Sequence, residues 1–243
     1  MTQPLLVLCA HGTRNEVGQQ VILDVAQAVR ESLGVEVREA YVDVQDPKID
    51  DVIASVPASG GVSAVVVPYL LAGGYHVHVD IAEAVKGRPD VLAAPALGPD
   101  SRLIDILIDR IHEAGVAETA TVVLAPAGSS DRRSQLDTER AADLLRSRWG
   151  GPVRVGYAAG IKPSVAEAVQ AAREFGENEQ DSDVAVVSYL LSPGYFQDTL
   201  SNAGADHVTA PLAPDARIVE IIAERYFGAL EGPAQTETDP AST

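Results

Sequence analysis

Leu5-Leu-Val-Leu-Cys-Ala-His-Gly-Thr-Arg14 is the stretch that decides the fold. It opens on an uncharged apolar run, ends in a polar turn containing a glycine, and is followed at once by a helical pattern. A buried parallel strand feeding a crossover helix reads this way. His11 then stands at the carboxyl end of that strand. In open α/β sheets ligands bind at the carboxyl ends of the strands, so an imidazole there is placed for chemistry more than for packing. A second such place follows. Val65-Val-Val-Pro-Tyr-Leu-Leu71 opens into Ala72-Gly-Gly-Tyr-His-Val-His-Val-Asp-Ile81, which puts His76 and His78 at another strand-to-helix crossing.

Working outward, Val17, Val21, Ile22, Val25, Ala28, Val29 and Leu33 mark one face of a helix over Glu16–Leu33, stopped by Gly34. Val35 to Val42 alternates as a strand, and Pro47 is expected to open a second helix reaching about Val56, since proline is tolerated in a first turn. The turn Ser59-Gly-Gly61 precedes the third strand. Val91 to Ala94 makes a short fourth, before a helix from Ser101 to about Ala114. Four strand-helix units predict a doubly wound parallel α/β layer.

The pattern then repeats. Thr121-Val-Val-Leu-Ala-Pro-Ala-Gly-Ser-Ser-Asp131 restates the first strand and its turn, with Ala127 standing 116 residues after His11. Tyr157 and Pro163 answer Tyr41 and Pro47 at the same spacing. Ser188-Tyr-Leu-Leu-Ser-Pro-Gly-Tyr-Phe196 restates Pro68 to His76 at a spacing of 120, with Phe196 in place of His76. The chain thus reads as a tandem duplication: residues 1–117 carry the histidines, residues 118–228 repeat the fold without them, and residues 229–243, rich in Pro, Glu, Thr and Ala, are expected to form a disordered tail. Both copies need the same core, so histidines confined to one of them point to chemistry.

A formal charge of −17, with no run of Lys or Arg, argues against nucleic acid as a partner. No stretch approaches the ~18 apolar residues of a membrane span, and no basic leader precedes the first strand. The single cysteine, Cys9, lies in the apolar first strand and fits a reducing cytoplasmic home.

At "LLVLCAHGTR", "AYVDVQDPKIDDVI" and "VVVPYLLAGGYHVHVDI" the chain resembles the ATP-independent chelatases that insert a divalent metal into a modified tetrapyrrole, most closely the two-domain sirohydrochlorin chelatases. The resemblance runs from Leu5 to about Tyr226. It implies two flavodoxin-like, chelatase-type domains facing across a cleft, and assigns His11 and His76 as the catalytic, metal-binding pair. It also implies a contribution from a carboxylate after the second strand, here Asp43 where many relatives carry glutamate. The metal is a substrate, with Fe2+ expected on family grounds and Co2+ or Ni2+ compatible with the same ligands, and neither ATP nor another nucleotide is needed. The macrocycle is expected between the halves of a monomer or homodimer.

The residue types agree with that reading. Neutral imidazole ligates iron, cobalt, nickel or zinc, and titrates near working pH, so it can hold an ion loosely and take up pyrrole protons. Two imidazoles and a carboxylate leave coordination positions open, as a donor site requires. Sirohydrochlorin carries many carboxylates, and Arg14, Arg132, Arg133 and Lys162, all at strand-to-helix crossings, are candidates to clamp them. His78 reads as capping or solvent-facing, Asp80 as a helix cap, His112 as a surface residue, and His207 as the start of a short strand. Three alternatives remain: a cobaltochelatase of cobalamin biosynthesis, a non-catalytic carrier of metal or tetrapyrrole, and a phosphoryl-transfer enzyme. The last fits least well, because phosphoglycerate mutase-type sites open on Arg-His-Gly and Ala10 precedes His11 here.

Overall fold

The computed structural model describes residues 3–174 and 183–232. Its centre is β1 (Leu5–Ala10), buried along its whole length and flanked by parallel strands on both sides, which is why it carries no charge. β2 (Val37–Tyr41) pairs on one side and β3 (Ala64–Tyr69) on the other. β4 (Val91–Ala93) follows β3, giving the order β2-β1-β3-β4. Ala10 pairs with both Tyr41 and Tyr69, so three strands end level and His11 leaves the sheet between two neighbouring loops.

The crossover helices follow from local chemistry. α1 (Glu16–Leu33) starts where the Asn15 side chain accepts the Gly18 N–H and stops at Gly34 in the left-handed conformation (φ 65°). α2 (Ile49–Ser55) begins two residues after Pro47, which follows a cis peptide bond in the preceding loop and does not open the helix as expected from sequence. After β3 the chain enters a π-helical segment, His76–Ile81, continued by α3 (Ala82–Val85). α4 (Ser101–Glu113) is capped by Asp100.

The second half repeats this order: β5 (Thr121–Pro126), α5 (Arg132–Arg146), β6 (Val153–Val155), α6 (Val165–Glu174), β7 (Val184–Tyr189), α7 (Tyr195–Leu200), β8 (His207–Val208) and α8 (Ala216–Glu231). Its sheet order, β6-β5-β7-β8, matches the first. α8 runs into the stretch read from sequence as a tail, through Glu231. Residues 233–243 of that tail lie outside the described residues.

The packing crosses the repeat boundary. α4, the last helix of the first copy, packs on β7, and α8, the last of the second, packs on β3 and α1. Polar contacts fix both exchanges: Tyr226 donates to the Pro4 carbonyl at 2.6 Å, Arg225 to the Ala96 and Leu97 carbonyls, and Arg110 to those of Pro211, Leu212 and Pro214. One core therefore runs through both halves, while separate clusters under α2–α3 and α6–α7 cover the other sheet faces. Ile218, Ile221 and Ile222 of α8 are fully buried in the shared core, each worth about 1.5–3 kcal/mol of apolar burial. Neither half holds its sheet covered without a helix from the other.

Candidate active site

Between the halves, at the carboxyl ends of β1, β3, β5 and β7, lies a cleft of about 670 Å³. His11 and His76 line it and meet edge to face, with ring centroids 4.7 Å apart and planes at 87°. The rim position of each imidazole is set by the level ends of β1 and β3. His11 Nδ1 lies 3.3 Å from the Gly12 carbonyl oxygen, a contact that favours the Nδ1–H tautomer. His76 Nδ1 donates to Asp80 Oδ2 at 2.6 Å, one helical turn on. A carboxylate on one ring nitrogen fixes the tautomer and leaves Nε2 as the lone-pair nitrogen, as in many metal-binding histidines.

Asp80 therefore has a different role from the helix cap read in sequence: its side chain is spent on His76. The i, i+4 spacing, which sets two side chains on one face of a helix, was the available signal. Asp80 also acts inward. Burial first, and then the Asp80 charge, push the Cys9 thiol up to about 12, which makes it an inert part of the core.

Asp43 is placed beside His11 by backbone alone: its N–H donates to the His11 carbonyl at 3.3 Å, while its side chain is exposed and does not line the cleft, where Val44 does. Among the described residues no group of three or more His, Cys, Asp or Glu converges as a metal cage would. The structure thus brings His11 and His76 together without Asp43. Of the four candidate clamp cations, Arg14 lines the cleft and has no ion-pair partner among the described residues. Arg132 is exposed in the first turn of α5. Arg133 is drawn back onto Asp131, the residue that caps α5, and Lys162 onto Glu167, so these three do not line the cleft. His78 is exposed, with Nε2 beside Gly73. His112 is exposed near Trp149, and His207 lies in β8.

The remaining wall explains what the cleft can hold. Among the described residues no Asp or Glu lines it, in a chain of net charge −17. Tyr75, Tyr195 and Phe196 line it as large apolar groups left open to solvent, Tyr195 being 76% exposed. Such aromatic faces suit a flat ligand. Deeper in, the hydroxyls of Tyr69, Tyr189 and Ser192 are buried without a hydrogen-bond partner among the described residues. Burial holds the Tyr69 and Tyr189 phenols well above their ordinary range, so they are neutral donors. None of this was readable from the sequence, because burial of a hydroxyl is a tertiary property.

Fold and site together define a two-lobed, chelatase-type α/β protein with an imidazole pair on one lobe of its cleft. The chain belongs to the CbiX family, whose model matches it twice, over residues 5–114 and 121–229. It is 26% identical over 238 residues to the sirohydrochlorin ferrochelatase of Priestia megaterium, covering 94% of this chain and 85% of that one. Over 112 residues it is 28% identical to the sirohydrochlorin cobaltochelatase of Sulfolobus acidocaldarius, a match covering 45% of this chain and 90% of the relative. Its fold matches that of SirB from Bacillus subtilis, solved with Fe3+, at a TM-score of 0.75 and 20% identity, over 94% of this chain and 96% of that one. No helix of the described residues is long and apolar enough to cross a membrane.

Proposed function

We propose that this chain is a sirohydrochlorin chelatase that inserts ferrous iron, giving sirohaem, without ATP. The observation that carries the reading is the His11–His76 pair, edge to face on a cleft that no carboxylate of the described residues lines, in a chain of the CbiX family. Insertion exchanges two pyrrole N–H protons for one divalent ion. His76, its Nδ1–H held by Asp80, presents Nε2 as a loose ligand or proton acceptor, and His11 faces it across 4.7 Å. The aromatic wall of Tyr75, Tyr195 and Phe196 receives the macrocycle face, and Arg14 pairs with a peripheral carboxylate. Asp43, swung from its exposed position, completes a three-ligand set in this reading. Arg132, Arg133 and Lys162 serve at most the outer carboxylates. In this reading the macrocycle sits between the two halves of one chain, in a monomer or a homodimer. A reducing compartment such as the cytoplasm suits both ferrous iron and the Cys9 thiol.

Cobalt is the second reading, favoured by the half-length cobaltochelatase relative and by first-row ligand preferences, which seldom select one ion. The test follows sirohydrochlorin absorbance anaerobically with Fe2+ or Co2+, comparing the intact chain with His11→Ala and His76→Ala against the spontaneous rate. Rapid insertion lost in both variants is expected, and the faster metal names the ion. Binding of the macrocycle without any acceleration overturns the chelatase reading in favour of a carrier. A cleft offering one arginine gives the phosphoryl-transfer alternative little support.

A further inference from the structure

Each half seats the loop after its third strand on the first helix of the other half. The Pro193–Gly194 loop rests on the start of α1, where a Cβ at Gly18 would run into the Pro193 carbonyl oxygen and Gly194 lies against the Thr13 hydroxyl. The Gly73–Gly74 loop rests in the same way on α5, with Ser134 and Ser129 against Gly74. The two seats are related by the duplication, but among the described residues only one has a polar latch. On the His76 side the Gly73 N–H donates to Asp137 Oδ2 at 2.9 Å, across the cleft from one half to the other.

At the counterpart seat both ends of that bond are missing. Gly73 corresponds to Pro193, which has no N–H, and Asp137 to Val21, which has no acceptor. The asymmetry follows that of the chemistry: the latched loop leads into His76 and the unlatched one into Phe196. The Asp137 side chain is largely buried, and its other oxygen pairs with the exposed Arg140 at 3.0 Å, one turn on in the same helix.

From this we infer that Asp137, contributed by the second half, is a positioning residue for His76: it holds the Gly73–Gly74 loop so that the imidazole meets His11 across the cleft. The inference rests on the chelatase reading and adds to it a task for the half that lacks histidines. A fixed loop matters because small displacements of a reacting group are costly to rate.

The experiment breaks the bond from each end in the full chain. Asp137→Ala removes the acceptor, and Gly73→Pro removes the donor by copying what the second half carries. Asp137→Asn keeps an acceptor oxygen and Gly73→Ala keeps the N–H. Each breaking variant is expected to lower kcat for metal insertion about tenfold, with KM for sirohydrochlorin within about twofold. The double variant Gly73→Pro/Asp137→Ala is expected to lose no more than either single one, since both remove one bond. Asp137→Asn and Gly73→Ala are expected to stay within about threefold of the parent. Wild-type kcat in Asp137→Ala, a loss that is additive in the double variant, or a loss that Asp137→Asn shares fully, overturns the inference. If the intact chain accelerates no insertion, the chelatase reading fails first and takes this one with it; an active parent beside an unaffected Asp137→Ala defeats only the positioning role. Should Asp137→Ala not fold, Gly73→Pro against Gly73→Ala decides.

Discussion

Replacing Asp80 by alanine tests the geometry of the site without touching a candidate ligand. The residue makes a single structural contribution to the cleft, accepting the His76 Nδ1–H at 2.6 Å. Hydrogen bonds to a charged group are worth about 1.5–3 kcal/mol, and the lower end applies because the two side chains are 35% and 31% exposed. About 1.4 kcal/mol corresponds to tenfold in rate or affinity, which agrees with the lower end of losses seen when a ligand histidine loses its carboxylate partner. Asp80→Ala is therefore expected to lower kcat/KM for anaerobic insertion into sirohydrochlorin about tenfold. Asp80→Asn, which keeps an acceptor and drops the charge, should fall between it and the parent. His76→Ala should fall to the spontaneous rate. Far-UV circular dichroism on each variant separates loss of the site from loss of the fold. An Asp80→Ala protein as fast as the parent, beside an inactive His76→Ala, would show that the imidazole is oriented by something else.

Three further outcomes follow from particular contacts. Arg14→Glu is expected to raise KM for sirohydrochlorin about tenfold with little change in kcat, while Lys162→Glu, at a position outside the cleft wall, should change KM less than about twofold; steady-state kinetics at fixed ionic strength reads both. Gly128→Ala places a side chain on a backbone at φ 101° facing the Ala159 carbonyl, so it should cost about 2 kcal/mol or more and lower Tm by at least about 4 °C in a thermal melt. Cys9, its thiol pushed up to about 12, should resist alkylation at pH 8 in the native protein and react stoichiometrically in guanidinium; rapid native labelling would contradict its burial.

The fold was legible where a single residue class had to occupy a whole element. β1, β3, β5 and β7 are each buried at every position, so each shows as an apolar run, and the repeat makes one run vouch for the other. The exchange of α4 and α8 was not legible, because an amphipathic helix declares that one face is buried and says nothing of which sheet buries it. Pro47 misled for a related reason: its fixed φ suits a first helical turn and a loop equally, and here the helix waits until Ile49. That His11 and His76 share one rim was legible from their place at strand-to-helix crossings, and the contrast with Ala127 and Phe196 singled them out. Asp80 was read as a cap because an aspartate near a helix start suits one, and its pairing with His76 went unread. Arg133 and Lys162 were placed by their position at crossings, whereas their direction is set by Asp131 and Glu167 nearby in the chain. Charge composition gave no hint of a cleft wall without carboxylates, since a count carries no address.

That wall, more than either histidine, shows how the duplication has been used. An acidic protein draws divalent cations toward its surface and repels a polyanion, so a site that must admit both has to separate the two effects in space. Here the carboxylate nearest the imidazoles, Asp80, is turned onto His76 and stays out of the wall. Asp137 is engaged by the Gly73 N–H and Arg140, and the cleft itself carries Arg14, neutral phenols and aromatic faces. The first half keeps His11 at the end of β1 and His76 after the loop that Asp137 holds. The second carries Phe196 in place of His76, beside Tyr195 as the counterpart of Tyr75, so the position that offers a nitrogen ligand on one side offers an apolar ring on the other. A single copy of the fold has one residue at the position of His76 and Phe196, so it offers an imidazole or a phenyl ring there but not both. Two copies joined through exchanged helices place both on one cleft at fixed separation.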